Sequence, residues 1–300
     1  MTLRISLALK RKQIVDLVLE LQKFIENYQV KPYVSRKREI DILCYTNLFF
    51  PPVIGILFVM CFFDNFEEIR EEFKPDVLEY CTQHSLEERI LILLFTFAYT
   101  LHFYVTSLLC ITMFITIFEV YENALKQMLM ETYKLLRKNI SLRNLANASE
   151  LILEAQKMHQ KIEDVLSFSI FLAYVLVFVN FLNLVSVNTM TTTSPSIQFR
   201  AVACTLIFFW TTSSFIKLTL TGSKLIDICD LWKFLQKEIV RNCSRRRIKN
   251  QDQLTYFLLF LEESNVDLAF TGWGIFRLDR SLLLTISEAL VSYSVLVATV

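Results

Sequence analysis

Polar side chains near the end of the chain have a spacing that suits ion conduction. Separations of 3, 4 and 7 residues place four of them on one helical face: Thr285, Glu288, Ser292 and Thr299. The run is otherwise mainly Leu, Ile, Val, Ala and Ser, where a carboxylate is costly unless it meets water or a partner. A ring of carboxylates attracts cations, whereas in a dry helix contact the same group would be neutral. Two neighbours complete the pore or gate candidates: Tyr293 and Val300.

Aromatic and amide side chains in other apolar runs are candidates for a pocket that binds a small organic molecule. They are Tyr99, His102, Tyr104, Asn180, Asn183, Phe209 and Trp210. Such pockets combine apolar or aromatic walls with a few polar groups. Packing between helices explains the aromatic residues equally well, and interhelical hydrogen bonds explain the two asparagines.

Residue patterns typical of catalysis are missing from the sequence. There is no GxSxG, P-loop or HExxH motif, and the three histidines lie in three different segments. The seven cysteines form no CxxC pair, so zinc-ligand spacing is also missing. The sequence predicts no enzyme, no metal site and no cofactor. A net charge of +1 gives no basis for nucleic-acid binding.

Apolar residues are concentrated in a few long runs. They make up 54% of the chain and the mean hydropathy is +0.42, against about 45–50% apolar residues in soluble domains. Five runs approach or exceed the ~20 residues that cross a bilayer as a helix: 43–63, 90–118, 166–187, 201–222 and 281–300. The sequence therefore predicts an all-α, polytopic helical membrane protein with a single transmembrane domain, 1–300.

Basic residues are divided unequally between the segments that join these runs. Segments 1–42, 119–165 and 223–280 hold 26 Lys and Arg, while segments 64–89 and 188–200 hold 4. Because cytoplasmic loops are enriched in Lys and Arg, the first three are predicted to be cytoplasmic. The N-terminus is then inside and the C-terminus outside.

The predicted cytoplasmic segments have helical periodicity. Apolar residues recur at steps of 3 and 4 after the fourth run: Leu225, Ile228, Trp232, Leu235 and Ile239. Similar stripes occur in 119–165 and in a run that includes Phe257, Leu258 and Leu261. These stripes predict a helical bundle that continues the spans into the cytoplasm. The alternative is a set of amphipathic helices lying on the membrane surface.

The last part of the chain carries a recognisable pattern. Gly274-Ile-Phe-Arg-Leu-Asp-Arg-Ser-Leu-Leu283 is followed by Ser-Tyr, five mostly apolar residues, Thr and Val300. This resembles the arthropod (insect and chelicerate) gustatory receptor family, which ends in Gly-x-Phe-x-Leu-Asp and a last span with Thr-Tyr, five apolar residues and Gln-Phe. The matching residues are Gly274, Phe276, Leu278, Asp279 and Tyr293; Ser292, Thr299 and Val300 depart from the pattern.

The resemblance implies a seven-transmembrane chemosensory receptor of the plasma membrane. Its members look like ligand-gated cation channels that assemble as tetramers, with the last helix lining the pore. We therefore expect a small organic tastant as ligand, the lipid bilayer as surroundings, and a homo- or hetero-tetramer with related receptors. The five runs correspond to the last five spans of that plan, so the chain is N-terminally short relative to it.

The residues before the last run have a physical role in the pattern. Gly272 and Gly274 permit a tight hinge between an inner helix and the last helix. Asp279 stands where its side chain can cap the free N–H groups of that helix.

Other functions remain open from the sequence. An odorant receptor would share the architecture. A secondary transporter would show internal repeats, which the sequence lacks. A non-conducting, decayed receptor is a third alternative.

Overall fold

The structure is a computed structural model dominated by helices. It describes residues 2–27, 41–42, 44–46, 48–50, 52–53, 94, 105–189, 195–246, 251–263 and 267–299. The helices within these residues are α1 Thr2–Leu9, α2 Arg11–Asn27, α3 Thr106–Lys138, α4 Leu142–Thr189, α5 Pro195–Arg246, α6 Gln251–Glu263 and α7 Arg280–Thr299. Two short strands, β1 Thr271–Gly272 and β2 Phe276–Arg277, pair antiparallel. The predicted all-α helical fold is confirmed.

Three helices are much longer than a bilayer is thick. α3 has 33 residues, α4 has 48 and α5 has 52. At ~1.5 Å per residue these lengths are about 50, 72 and 78 Å, whereas the hydrocarbon core of a bilayer is about 30 Å thick. Each helix joins part or all of a predicted span to a predicted cytoplasmic segment without a break. The predicted continuation of the spans as helices is therefore confirmed.

Apolar composition marks two portions of these helices among the described residues. Leu108–Lys138 of α3 and Leu142–Leu182 of α4 are long and apolar enough to cross a membrane. The predicted spans 201–222 and 281–300 lie on α5 and α7, apart from Val300. The first predicted span, and the second before residue 105, lie almost wholly outside the described residues. The number of spans and their bounds stay predictions.

The long helices pack against one another around a shared apolar core. α3 and α4 each pack on α5, and α6 packs on α4. The whole predicted stripe on α5 is buried: Leu225, Ile228, Trp232, Leu235 and Ile239. Trp232 is 1% exposed, and its ring meets Phe260 of α6 edge-on at 6.5 Å between centroids. The helices form the predicted bundle, and the alternative of separate surface helices is wrong.

The buried face of α6 differs in detail from the predicted one. Phe257 and Phe260 are buried, while Leu258 is exposed. Leu258 and Phe257 are adjacent in sequence and therefore point about 100° apart on a helix. Only one of them can face the core, and Phe260, three residues after Phe257, completes that face.

Trp232 provides a direct test of the bundle. Trp232→Asp removes a fully buried aromatic side chain and places an unpaired carboxylate in its site. The variant should lose at least ~3–5 kcal/mol of unfolding free energy. The measurement is the thermal midpoint and the monodisperse yield of the protein in detergent.

Leu142→Asp is the matched control, because Leu142 is exposed at the first turn of α4. An acidic residue is favourable at a helix N-terminus, so this control should behave like the unmodified chain. Equal behaviour of the two variants would contradict burial of Trp232.

Candidate functional site

A β-hairpin leads into the last helix. Thr271 pairs with Arg277, and Gly272 pairs with Phe276. The turn closes where the Ile275 N–H donates to the Gly272 carbonyl at 2.9 Å. Its two central residues have positive φ, 52° and 69°, as in a type I′ turn. The chain therefore reverses direction sharply just before α7.

The two glycines of the hairpin are required for different reasons, one for its backbone conformation and the other for its small size. Gly274 has φ +69°, a conformation that side chains with a Cβ rarely adopt, and its surroundings are open. Gly272 is buried, and a Cβ there would lie 2.2 Å from Cζ of Phe276. Gly274 supplies the conformation of this turn and Gly272 the space for it, while the hinge role predicted for the two glycines stays a prediction.

A half-buried carboxylate, that of Glu163, fastens the first strand of the hairpin to α4. The Thr271 N–H donates to Oε1 of Glu163 at 2.8 Å, and the Thr271 hydroxyl donates to Oε2 at 2.5 Å. Burial raises the pKa of Glu163, while the two hydrogen bonds from Thr271 act in the opposite direction. Both carboxylate oxygens therefore hold one residue of the hairpin.

An aromatic cluster holds the residue before the hairpin. The fully buried Phe270 ring stacks on Phe118 of α3 at 3.7 Å between centroids with an interplanar angle of 7°. His159 of α4 lies 5.2 Å away, and Tyr121 meets Phe270 edge-on at 6.1 Å. Burial lowers the pKa of His159 to about 4, so this ring is neutral at neutral pH. The cluster joins α3, α4 and the hairpin through apolar packing.

The tip of the hairpin reaches the beginning of the third predicted span. Trp273 packs edge-on against Phe168 at 5.1 Å and lies 5.5 Å from Phe171. The backbone N–H of Trp273 donates to the Ser167 carbonyl at 3.1 Å. These contacts stabilise a positive φ that otherwise costs a non-glycine residue about 1–2 kcal/mol.

The first turn of α7 is capped and tied to α5. Oδ1 of Asp279 accepts from the Leu282 N–H at 2.9 Å, as predicted for a helix cap. The Ser281 hydroxyl donates to the same oxygen at 2.6 Å, and this bond is the main cause of the lowered pKa of Asp279. Arg280 donates to Oδ2 of Asp227 at 2.7 Å. The position of this end of α7 is thus set by both polar and apolar contacts.

The pore candidates lie on a helix that is largely uncovered. Thr285, Glu288 and Ser292 are exposed on α7, and Tyr293 is exposed to 36%. Thr299 is the last residue of α7, with its side chain outside the described residues, as is Val300. Apolar residues of α7 are exposed as well: Leu284, Val291 and Val295. The chain thus offers both a polar and an apolar face of α7.

The pocket candidates are only partly within the described residues. Tyr99, His102, Tyr104 and the side chain of Asn183 lie outside them. Asn180 of α4 is 8% exposed, and its Nδ2 has no hydrogen-bond partner among the described residues. Phe209 is exposed on α5, while Trp210 stacks on Phe50 at 4.4 Å.

Several residues that hold this site in place were not identified from the sequence. Glu163 looked like one acidic residue of a solvated helix face. Phe270 carried no motif, although it stacks on a residue 152 positions earlier. The one available signal was the Phe-Thr-Gly-Trp-Gly run at 270–274, where bulky and small residues alternate. Among the described residues, no group of three His, Cys, Asp or Glu is placed to hold a metal.

Comparisons with known proteins identify the architecture. No protein-family model and no curated protein match the sequence. Two solved structures of the olfactory receptor OR5 from the insect Machilis hrabei are similar in fold. The first, in complex with eugenol, has a TM-score of 0.55 at 13% identity, over 91% of this chain and 70% of the receptor. The second has a TM-score of 0.58 at 13% identity, over 98% and 76%. The chain therefore shares the helical membrane-protein fold of these two structures.

Gly274 provides the test of the hairpin. Gly274→Ala meets no neighbouring atom, so its cost reports the positive φ alone, and it should lower the unfolding free energy by about 1–2 kcal/mol. Gly274→Asn should cost less, because asparagine tolerates this conformation better. Thermal midpoints of the purified variants give the comparison. Two variants as stable as the starting protein would show that the positive φ is not kept.

Proposed function

We propose that this chain is a subunit of a gustatory-receptor-like chemosensory channel, opened by a small organic ligand and selective for cations. Subunits assemble as a tetramer around an axis, and each presents the polar face of α7 to the conduction path. The protein acts at the plasma membrane with its N-terminus in the cytoplasm and its C-terminus outside. It has no catalytic role.

The observation that carries the proposal is the exposure of a polar face on an otherwise apolar helix. Thr285, Glu288 and Ser292 lie on α7 without cover from the rest of the described chain. A carboxylate in a membrane-spanning helix is stabilised by water or by a partner, and a central pore supplies water. The hairpin and the Asp279 cap hold the start of this helix, as a pore-lining element requires.

The exposed surface of the bundle supports assembly. Phe234 is 63% exposed on α5, and three large side chains of α6 are exposed as well: Tyr256, Leu258 and Leu259. All lie in the segment 223–280, which is predicted to be cytoplasmic, where no acyl chain covers them. Large exposed apolar side chains outside the bilayer are typical of subunit contacts. We assign this surface to contacts within the tetramer, with identical or related subunits.

The ligand is proposed to bind between the spans. The Nδ2 atom of the buried Asn180 has no hydrogen-bond partner among the described residues, and Trp210 and Phe209 supply aromatic surface on α5. The olfactory receptor OR5 of similar fold has been solved with eugenol, a small organic molecule. A related chemical class, with an aromatic or apolar body and one hydrogen-bonding group, suits these side chains.

The gustatory assignment rests on the terminal pattern from Gly274 to Leu283. An odorant receptor of the same architecture is the second candidate, favoured by the two similar structures. A transporter has less support, because α4 and α5 are unbroken helices, whereas transporters use broken helices at mid-membrane. Ion flux from the purified, reconstituted protein distinguishes a channel from a transporter or a non-conducting receptor.

Glu288→Gln is the test of the pore. A unit charge attracts a cation ~4 Å away by about 1 kcal/mol even in water, a factor of about five in local concentration. Removing it from every subunit should lower cation conductance several-fold or abolish cation selectivity. The measurement is single-channel current from reconstituted protein.

Glu288→Asp keeps the charge and is the matched control, which should retain conduction and selectivity. Unchanged currents from well-expressed Glu288→Gln protein would remove Glu288 from the pore. No current from the unmodified chain, with ligand libraries applied, would instead favour the non-conducting receptor.

Glycosylation tests the orientation. Three N-x-S/T sequons begin at Asn139, Asn147 and Asn242, and all lie in segments predicted to be cytoplasmic. Asn139 is exposed in the turn between α3 and α4, and Asn147 is exposed in the second turn of α4, so the fold does not shield them. They should stay unmodified in insect cells, as judged by a glycosidase mobility shift.

Tyr80→Asn is the positive control, because it creates an Asn-Cys-Thr sequon in segment 64–89, which is predicted to be outside. This variant should carry a glycan. A glycan on Asn139 or Asn147 would reverse the proposed orientation.

A further inference from the structure

The first helix of the chain lies beside the membrane end of α4. The Ser6 hydroxyl is 3.2 Å from the Ser169 hydroxyl, and Ser169 is the fourth residue of the predicted span 166–187. One turn later, the Lys10 ammonium donates to the carbonyls of Asp164 and Val165 at 3.1 and 2.9 Å. Lys10 thus marks the border of the span, and residues before it lie at the depth of the span itself.

α1 and α2 present two distinct faces. The Lys10 N–H donates to the Ser6 carbonyl and the Ile14 N–H to the Lys10 carbonyl, so the helical hydrogen bonds continue across the junction. The face toward the bundle is buried or half-buried at steps of 3 and 4: Leu3, Ser6, Lys10, Ile14 and Leu17. Ile5, Leu9 and Lys12 follow one another at steps of 4 and 3 on the opposite face.

The outward face changes from apolar to basic at the span border. Ile5 is 50% exposed and Leu9 is 81% exposed, both on the membrane side of Lys10. Arg11 and Lys12 are exposed immediately beyond it, with no carboxylate partner among the described residues. The nearest acid on the same helix is Asp16, four residues after Lys12, and it forms no ion pair with Arg11 or Lys12 among the described residues. Glu20, one turn farther along, is paired with Lys161 of α4. Two basic side chains are therefore left next to an apolar strip.

This order of side chains fits one kind of partner. A lipid leaflet offers acyl chains next to a layer of headgroups, and anionic headgroups attract Lys and Arg. A purely apolar protein partner would leave Arg11 and Lys12 without counter-charge, and a soluble anion would leave Ile5 and Leu9 in water.

We propose that the outward face of α1 docks into the membrane leaflet at this end of the bundle. Ile5 and Leu9 contact acyl chains, and Arg11 and Lys12 bind anionic phospholipid headgroups. α1 is then a membrane-embedded lipid contact, although segment 1–42 as a whole was predicted to be cytoplasmic. The contact with lipid does not depend on the proposed orientation. That orientation only identifies the leaflet as the inner one.

Quenching of introduced tryptophans by brominated phospholipid tests the depth. Ile5→Trp and Leu9→Trp proteins in nanodiscs should show blue-shifted emission and strong quenching, after subtraction of the three native tryptophans. Leu19→Trp is the matched control: Leu19 is 52% exposed and lies about 15 Å farther along the helix than Leu9. It should be quenched much less. Equal, weak quenching at all three positions overturns the proposal.

The same assay tests the headgroup chemistry. In nanodiscs with equal amounts of phosphatidylglycerol and phosphatidylcholine, bromine is placed on one lipid or the other. Leu9→Trp should be quenched more by the brominated phosphatidylglycerol, by up to about fivefold for each basic side chain that binds it. Adding Arg11→Gln and Lys12→Gln should bring the ratio to one, whereas free phosphate in the buffer should leave it unchanged.

Lys134→Gln with Arg143→Gln is the charge-matched control, because both residues are exposed near the turn between α3 and α4. This pair should leave the ratio unchanged. A ratio of one in the protein that retains Arg11 and Lys12 overturns the headgroup assignment. Neither readout needs ligand or current, so failure here is distinct from failure of the channel proposal.

Discussion

A helix that continues beyond the bilayer has the same axis inside and outside it, and this constraint governs the structure. Backbone N–H and C=O groups cannot be left unpaired in lipid, so a span is a continuous helix. α4 and α5 continue that helix well beyond the length a bilayer requires. Packing outside the membrane therefore decides how the spans stand within it. The buried stripe around Trp232 contains no pore candidate, yet it fixes the helices on which the last helix is held.

The hairpin connects the packed long helices to the last helix and fixes where that helix begins. Each long helix contributes a contact: Phe118 of α3 stacks on Phe270, Glu163 of α4 binds Thr271, and Asp227 of α5 pairs with Arg280. The first is apolar and buried, the second is a half-buried pair of hydrogen bonds, and the third is an exposed ion pair worth at most about 1 kcal/mol. The stronger restraints act on the first strand, so the hairpin is held most firmly where it leaves the bundle.

The sequence predicted the features that depend on local rules. Apolar periodicity identified the buried face of α5, Asp279 stood one residue before a helix, and Gly274 stood where a turn needed positive φ. The remaining features depend on contacts across the chain. Glu163 has the sequence context of a surface residue, and only the approach of Thr271, 108 residues later, makes it a half-buried acceptor.

Leu258 shows the limit of periodicity itself. The run around it offered two adjacent apolar faces, and the pattern could not choose between them. Phe257 and Phe260 became the buried face because α4 and α5 approach from that side. The position of α1 beside the predicted span of α4 likewise rests on two contacts, from Ser6 and Lys10, that the sequence of segment 1–42 did not predict.

The reversed-hand turn at Trp273 and Gly274 has a consequence for how the chain can change in length. Along one unbroken helix, an added residue would rotate everything after it by about 100°. α6 and α7 are not one helix, and the hairpin between them is fixed by its own contacts. Residues gained or lost at the end of α6 therefore leave the angular setting of Glu288 untouched. The orientation of Glu288 about the helix axis is determined by the few residues from Phe270 to Arg280. Insertions there would turn the face of α7 that carries the carboxylate away from the axis of the proposed tetramer.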